Sequence, residues 1–277
     1  MLLSQIPMCH LFFGMGTLMV MGCQQDRSAA SSPLAPFILP AIAPPKHQLP
    51  IPDSTTAECI RGVYPPFMGR FSFASHIALE EPDSVSPDER LTDFAQFRAL
   101  EDSSNLGTDG LEIAADYNQS VVYQEPGGSG PYARVFPSQR TFPVYVANTS
   151  PRRKLLYGKD GHVFAIQEAK DRDGQWRPIE SKGADFCDSG EWILKLRPGQ
   201  MGVFLMDKYS GEYKTLLRVR LQNGESRYVS APYKGQIDER QFLVTSQERQ
   251  SLQENHGAIQ RLYFSAVPAL ADSIAYR

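Results

Sequence analysis

Arg218, Arg220 and Arg227 are the residues of this chain whose spacing best suits chemistry. The first two alternate with apolar residues in Leu217-Arg218-Val219-Arg220-Leu221, and the third lies in Ser226-Arg227-Tyr228-Val229. Between them stands Asn223-Gly224, which suits a two-residue turn because both residues tolerate positive φ. With that pair as the loop, Leu221 faces Ser226, Arg220 faces Arg227 and Val219 faces Tyr228. One face then carries Leu217, Val219, Leu221 and Tyr228; the other carries the three arginines, with Glu225 nearby. Opposed arginines repel unless they share an acid. That acid is either a bound carboxylate, phosphate or acidic glycan, or an internal partner such as Asp185, Asp188 or Glu191.

The remaining polar clusters carry less. His47, His76, His162 and His256 are scattered, with none of the short spacings that bring two imidazoles onto one zinc ion. Asp171-Arg172-Asp173-Gly174 opens like a calcium loop, but the twelfth position, where a carboxylate ligand belongs, is Lys182. It reads as a hairpin turn. Gly127-Gly128-Ser129-Gly130 lacks the Gly-Lys-Ser/Thr ending of a phosphate loop. The sequence therefore predicts no catalytic residue, no metal and no cofactor. A formal net charge of −3 argues against holding nucleic acid by general electrostatics.

Residues 6–22 form an apolar block without a charged residue. It stops at Val20-Met21-Gly22-Cys23, and the chain turns polar at once with Gln24-Gln25-Asp26-Arg27. An aliphatic residue three before a cysteine, and a small one immediately before it, resembles the lipobox of bacterial lipoproteins. The resemblance implies a signal peptide over residues 1–22, cleavage before Cys23, and diacylglycerol on the Cys23 thiol, usually with an N-acyl chain. The membrane is then the partner reached through Cys23. Two or three acyl chains anchor firmly where one binds only marginally. Gln24 differs from the aspartate that, in enterobacterial sorting, retains lipoproteins in the inner membrane. The expected address is the outer membrane, facing the periplasm or the surface.

The next segment would hold a folded domain away from that anchor. Residues 23–55 read as a tether, Ser/Ala-rich and then punctuated by Pro33, Pro36, Pro40, Pro44, Pro45, Pro50 and Pro52. Proline at that density excludes helix and interior strand and predicts a loose polyproline II spacer. Export also bears on Cys59 and Cys187, the two cysteines of the body, because thiols usually pair in an oxidising compartment. A disulfide between them would add about 4 to 5 kcal/mol in the chain-entropy model. Two free buried thiols are the alternative.

Residues 56–110 form a mixed segment. Ser86-Pro87-Asp88-Glu89 has the form of a capping box, and Leu91, Phe94, Phe97 and Leu100 recur at helical spacing. A helix is predicted from Pro87 to about Glu101. From residue 111 to 268, turn signals at roughly ten-residue intervals predict an antiparallel β-sandwich of immunoglobulin-like type, with a closed barrel as the alternative. Trp192, Leu194 and Leu196 alternate along one strand, Arg197-Pro198-Gly199-Gln200 turns it, and Met201 to Met206 is the next apolar run. Pro143 places its own strand at an edge or bulge. Thr245-x-x-Glu248 opens a second short helix reaching to Gly257, Ile259 to Val267 is a last strand, and residues 269–277 are a tail.

From Val144 to Phe242 the pattern of Trp, Cys, Pro-Gly-Gln and Tyr-x-Gly-x-x-x-Thr resembles uncharacterised exported lipoproteins of Bacteroidota-type bacteria. That resemblance implies a fold and an address, and no activity. The expectation is a mainly-β, lipid-anchored envelope protein acting as a non-catalytic binding or assembly module for a protein or glycan partner. The competing expectation is an envelope hydrolase acting on a cell-wall or extracellular polymer, which would need two carboxylates roughly 5 to 9 Å apart in a pocket.

Overall fold

Three antiparallel sheets turn their inner faces onto one apolar core in the computed structural model, which describes residues 36–46, 52, 54–86, 89–92, 107–125, 136–183, 190–254 and 257–269. The first sheet runs Phe67–Ser72, Gln200–Asp207, Gln139–Ala147, with Glu112–Ala115 and Val121–Tyr123 sharing the far side of Gln139–Ala147. The second runs His162–Val163, Lys154–Lys159, Glu191–Leu196, Arg90–Leu91. The third runs Trp176–Pro178, Ala165–Lys170, Tyr213–Asn223, with Ser226–Val229 and Tyr233–Ile237 sharing the far side of Tyr213–Asn223. Phe142, Val144, Leu156, Trp192, Val219 and Leu221 meet in the shared cluster. The chain is mainly β and layered, consistent with a β-sandwich. Two short parallel pairs flank it: Ala41–Ile42 with His76–Ile77, and Arg61–Val63 with Glu180–Lys182.

Burial follows the alternation in the sequence. Trp192, Leu194 and Leu196 point into the shared core, and Ile193 packs on the opposite face against Leu91 and Leu155. Met201 to Met206 is apolar throughout because the first sheet is covered on both faces. Phe204 and Met206 enter the shared core; Met201 and Val203 enter a second cluster with Tyr145 and Ala147.

Part of the expected tether covers that second face. Phe37 packs 5.2 Å from Phe73 and 6.1 Å from Tyr145, centroid to centroid. Gln119 fixes the backbone there: its Nε2 donates to Pro40 O at 2.8 Å and its Oε1 accepts from Ile42 N at 2.8 Å. Over residues 36–46 the spacer reading is therefore corrected to a docked strap. Prolines bar it from a long ladder but not from packing.

Pro143 calls for a smaller correction. Its strand is interior to the sheet, but Val121–Tyr123 pairs only as far as Thr141 and Glu112–Ala115 only from Val144. The proline falls in the gap between these neighbours, where its missing N–H costs no ladder bond.

Two helix assignments also change. Ser86 and Glu89 do close on each other, with Glu89 Oε2 accepting from Ser86 Oγ at 3.1 Å. Arg90–Leu91 nevertheless runs as a strand beside Ile193–Leu194, so the helix expected from Pro87 does not form there; residues 87–88 and 93–101 lie outside the described residues. Near the C-terminus, Ser246–Glu254 is the expected helix, with Glu248 N donating to Thr245 Oγ1 at 3.2 Å. The last strand expected over Ile259 to Val267 is instead the helix Ala258–Tyr263, closed by Phe264 in the left-handed region at φ 49°. Tyr263, Phe264 and Ala266 then pack on Ile60 and Ile166. Among the described residues, no helix is long and apolar enough to cross a membrane.

Candidate functional site

The hairpin arginines have an internal acid. Asn223 pairs with Ser226, Gln222 with Arg227, Leu221 with Tyr228 and Arg220 with Val229, so the loop is Gly224-Glu225 rather than Asn223-Gly224. Gly224 takes the positive φ, at 54°. Asn223 is drawn into the ladder by its side chain: Oδ1 accepts from Tyr157 N and Nδ2 donates to Leu155 O, both at 2.8 Å. Those two bonds join the third sheet to the second. The pairing shifts by two residues, an even number, so the division of faces survives while Arg220 no longer opposes Arg227.

Glu168, 1% exposed, stands between Arg218 and Arg220. Arg218 Nε reaches its Oε2 at 2.7 Å and Arg220 Nη2 its Oε1 at 3.1 Å. Glu168 lies directly across from Arg218 on the neighbouring strand, a register that sequence alone does not give. Arg218 also lies over the Trp176 ring, 4.1 Å from its centroid. Arg227 Nε donates to Gln222 Oε1 at 3.1 Å. Of the acids expected, Glu191 is an exposed residue across the ladder from Lys159, and Asp185 and Asp188 lie outside the described residues. Cys59 is a half-buried free thiol; Cys187, its expected disulfide partner, and Cys23 lie outside the described residues.

The larger concentration of charge is elsewhere. Arg140, Lys170, Arg172, Lys208, Lys214 and Lys234 line an open cleft of about 820 Å³, with Asp171 its one acid among the described residues. That acid is already engaged: Asp171 Oδ2 pairs with Arg177 at 3.1 Å and Oδ1 accepts from Gln175 N at 2.8 Å. Arg172 is matched by Glu239 at 2.5 Å. Arg140, Lys208, Lys214 and Lys234 take part in no ion pair among the described residues.

Three strands and the residue just past a fourth bring these cations together. Arg140 is the second residue of the Gln139–Ala147 strand, and its carbonyl accepts from Lys208 N at 2.8 Å, which fixes the two residues side by side. The Lys208 ammonium donates to Tyr117 O at 2.6 Å and Ser120 Oγ at 3.0 Å and lies 4.5 Å from the Tyr117 ring centroid. Burial, and then the Arg140 charge, push its pKa down. The Arg140 Nε is buried with no hydrogen-bond partner among the described residues. A desolvated cation beside another cation, with a donor left unmet, is an arrangement completed by an anion. Lys214 and Lys234 stand exposed on paired strands, Lys214 across from Gln236 and Lys234 across from Leu216.

Tyr209 also lines this cleft, and its hydroxyl donates to Glu180 Oε1 at 2.8 Å. Glu180 is fully buried, and Gln167 donates to it twice, from N at 2.6 Å and from Nε2 at 2.8 Å. Burial, then the Asp207 charge, raise its pKa from 4.5 to about 7. Asp207 is raised too, by burial, against the pull of Arg61 Nη1 3.0 Å away. Glu180, Asp207, Arg61 and His162 line a second cavity of about 100 Å³, room for a few waters. Both Glu180 oxygens already accept from the protein, so this carboxyl braces strands rather than presenting itself to a substrate. No group of three or more metal-ligating side chains occurs among the described residues.

The hairpin signal marks the strand Tyr213–Asn223, which carries Arg218 and Arg220 beside Glu168 and also Lys214 at the cleft. Lys208, Lys214 and Lys234 sit in turn-flanking or alternating positions that read as ordinary solvated surface. Arg140 carries no signal in the sequence at all. No family model matches the chain, and no curated protein or solved structure matches it either.

Proposed function

We propose that this chain is a lipid-anchored cell-envelope protein whose β-domain holds a protein or glycan partner without catalysing a reaction. The observation that carries the binding half is the cleft in which Arg140 and Lys208 lie side by side, neither in an ion pair among the described residues, with the Asp116 charge only partly opposing at Lys208. A half-buried pair of like charges costs stability in the free protein, and a bound anion offsets it. The anchoring half rests on Val20-Met21-Gly22-Cys23 at the end of an uncharged apolar block. Acyl chains on Cys23 would fix the domain to one membrane, and Gln24 beside the cysteine favours the outer one.

Mass spectrometry of the native protein tests the anchor: an N-terminal Cys23 bearing acyl groups is expected, and an intact leader without adduct removes it. A pulldown from detergent-solubilised envelopes tests the binding role, with Cys23→Ala as the unanchored control. Specific capture by the folded domain is expected; no capture beyond a bare-resin control would end the binding reading. The hydrolase reading draws on Glu180 and Asp207, two of the three carboxylates that line the small cavity together with Glu125. It requires polymer cleavage that Glu180→Gln and Asp207→Asn each abolish.

A further inference from the structure

We infer that the ligand of the cationic cleft is an acidic oligosaccharide, whose anionic groups neutralise Arg140 with Lys208 at one position and Lys214 with Lys234 at another. The inference rests on the reading that the cleft holds a partner, and adds the chemistry of that partner. Three observations select it.

The first is the distribution of charge. Lys214 and Lys234 stand at diagonal register on neighbouring strands, a separation of roughly 7 to 8 Å between backbones. Arg140 and Lys208 come from two other segments of the cleft wall. A chain carrying repeated charges can meet both pairs along one cleft. The cleft, at about 820 Å³, has room for several linked sugar rings.

The second is the absence, among the described residues, of an open aromatic platform at the cleft wall. Tyr117, the aromatic nearest the inner cations, stacks on Tyr233 at 4.8 Å with 20° between the rings. The Lys208 ammonium lies over Tyr117 as well. Its ring is thus engaged, so the base stacking that holds single-stranded nucleic acid is not offered, and an oligosaccharide here is held by charge and hydroxyl contacts rather than by ring stacking. The third is what lies between the cations. Ser54, Thr215 and Gln236 offer hydroxyl and amide groups suited to sugar hydroxyls. Thr215 Oγ1 donates to Lys170 O at 2.8 Å, which leaves its lone pairs to accept.

Titration calorimetry of the full chain in detergent tests this with a galacturonate tetramer as probe. Neutral cello-tetraose, poly-glutamate, inorganic polyphosphate and oligo-dT are the competitors. Galacturonate is expected to bind best, and to weaken as salt is raised because the cleft is open to solvent. The double variant Lys214→Ser/Lys234→Ser changes only exposed side chains, so its melting temperature should match the parent. Its affinity should fall at least about tenfold, as should that of Arg140→Gln. Equal binding of cello-tetraose, tighter binding of any other competitor, no binding of galacturonate, or an unchanged affinity in the double variant would each overturn the inference. An envelope partner still captured by the double variant would overturn it too, while leaving the broader binding role intact. Loss of all capture by the parent protein would instead strike that broader role.

Discussion

Arg70 and Glu89 are each 3% exposed, and Arg70 Nη1 sits 2.9 Å from Glu89 Oε2. Arg197 Nε approaches the other carboxylate oxygen at 2.5 Å, and Arg70 Nη2 donates to Ser84 O at 2.5 Å. Burial alone would raise the Glu89 pKa, but the hydrogen bonds from Arg70 and Ser86 and the Arg70 charge outweigh it and hold the carboxyl down at about 2. Glu89→Gln would leave a buried guanidinium without its counter-charge, a loss of about 3 to 5 kcal/mol. Urea denaturation at pH 7 measures it; a change below about 1 kcal/mol would mean that solvent reaches the pair. The same residue shows why sequence misreads this segment. Ser86-x-x-Glu89 is a sound local signal and the contact forms, yet Glu89 also answers to arginines that are distant in sequence. Asn223 is the parallel case: Asn-Gly announces a hairpin correctly, but which residue turns is decided by Leu155 and Tyr157 on another sheet.

Among elements, the strap over residues 36–46 differs most from its sequence reading. Proline density says what a segment cannot form, and nothing about whether a sheet face awaits it. The unbroken apolar run from Met201 to Met206 is the available hint that something must cover the second face. Phe37→Ala should cost about 1 to 2 kcal/mol, since a half-buried ring gives up part of the value of full burial. Ile38→Ala, at a side chain 69% exposed, should stay within about 0.5 kcal/mol. Equal, negligible effects on the denaturation midpoint would restore the free-spacer reading. The C-terminal element is more legible than its assignment as a strand suggests. Ile259, Leu262 and Tyr263 follow the i, i+3, i+4 spacing of one helix face, and the structure buries Tyr263. Strands of the main sheets are readable because alternation is local; the cleft is not, because its cations come from strands whose neighbours only the fold decides.

Across the whole molecule, a net charge of −3 conceals opposed local fields, and stability should follow the buried acids rather than that total. Glu180 ordinarily titrates at 4.5 and is raised to about 7, by burial first and the Asp207 charge second. Below about 4.5 it is protonated whether folded or unfolded, and its burial costs nothing. As pH rises towards 7, the unfolded chain gives up the proton while the folded chain keeps it, so stability falls by roughly 3 kcal/mol and then levels off. Asp207, raised as well, acts in the same sense. Glu89 acts in the opposite sense: its stabilisation is present above about 4.5 and is lost as pH falls towards 2. The two slopes cancel on the acid side of neutrality, and the melting temperature should peak at about pH 4.5. Asp207→Asn removes the like charge beside Glu180, so the decline towards neutral pH should become shallower. Tyr209→Phe removes a hydrogen bond that favours the ionised carboxyl, so the decline should extend to higher pH. Calorimetric melting from pH 3 to 9 on the parent and both variants decides it. A parent curve flat between pH 5 and 8 would mean that Glu180 titrates as an ordinary carboxyl, and that water reaches the brace beneath the cleft wall.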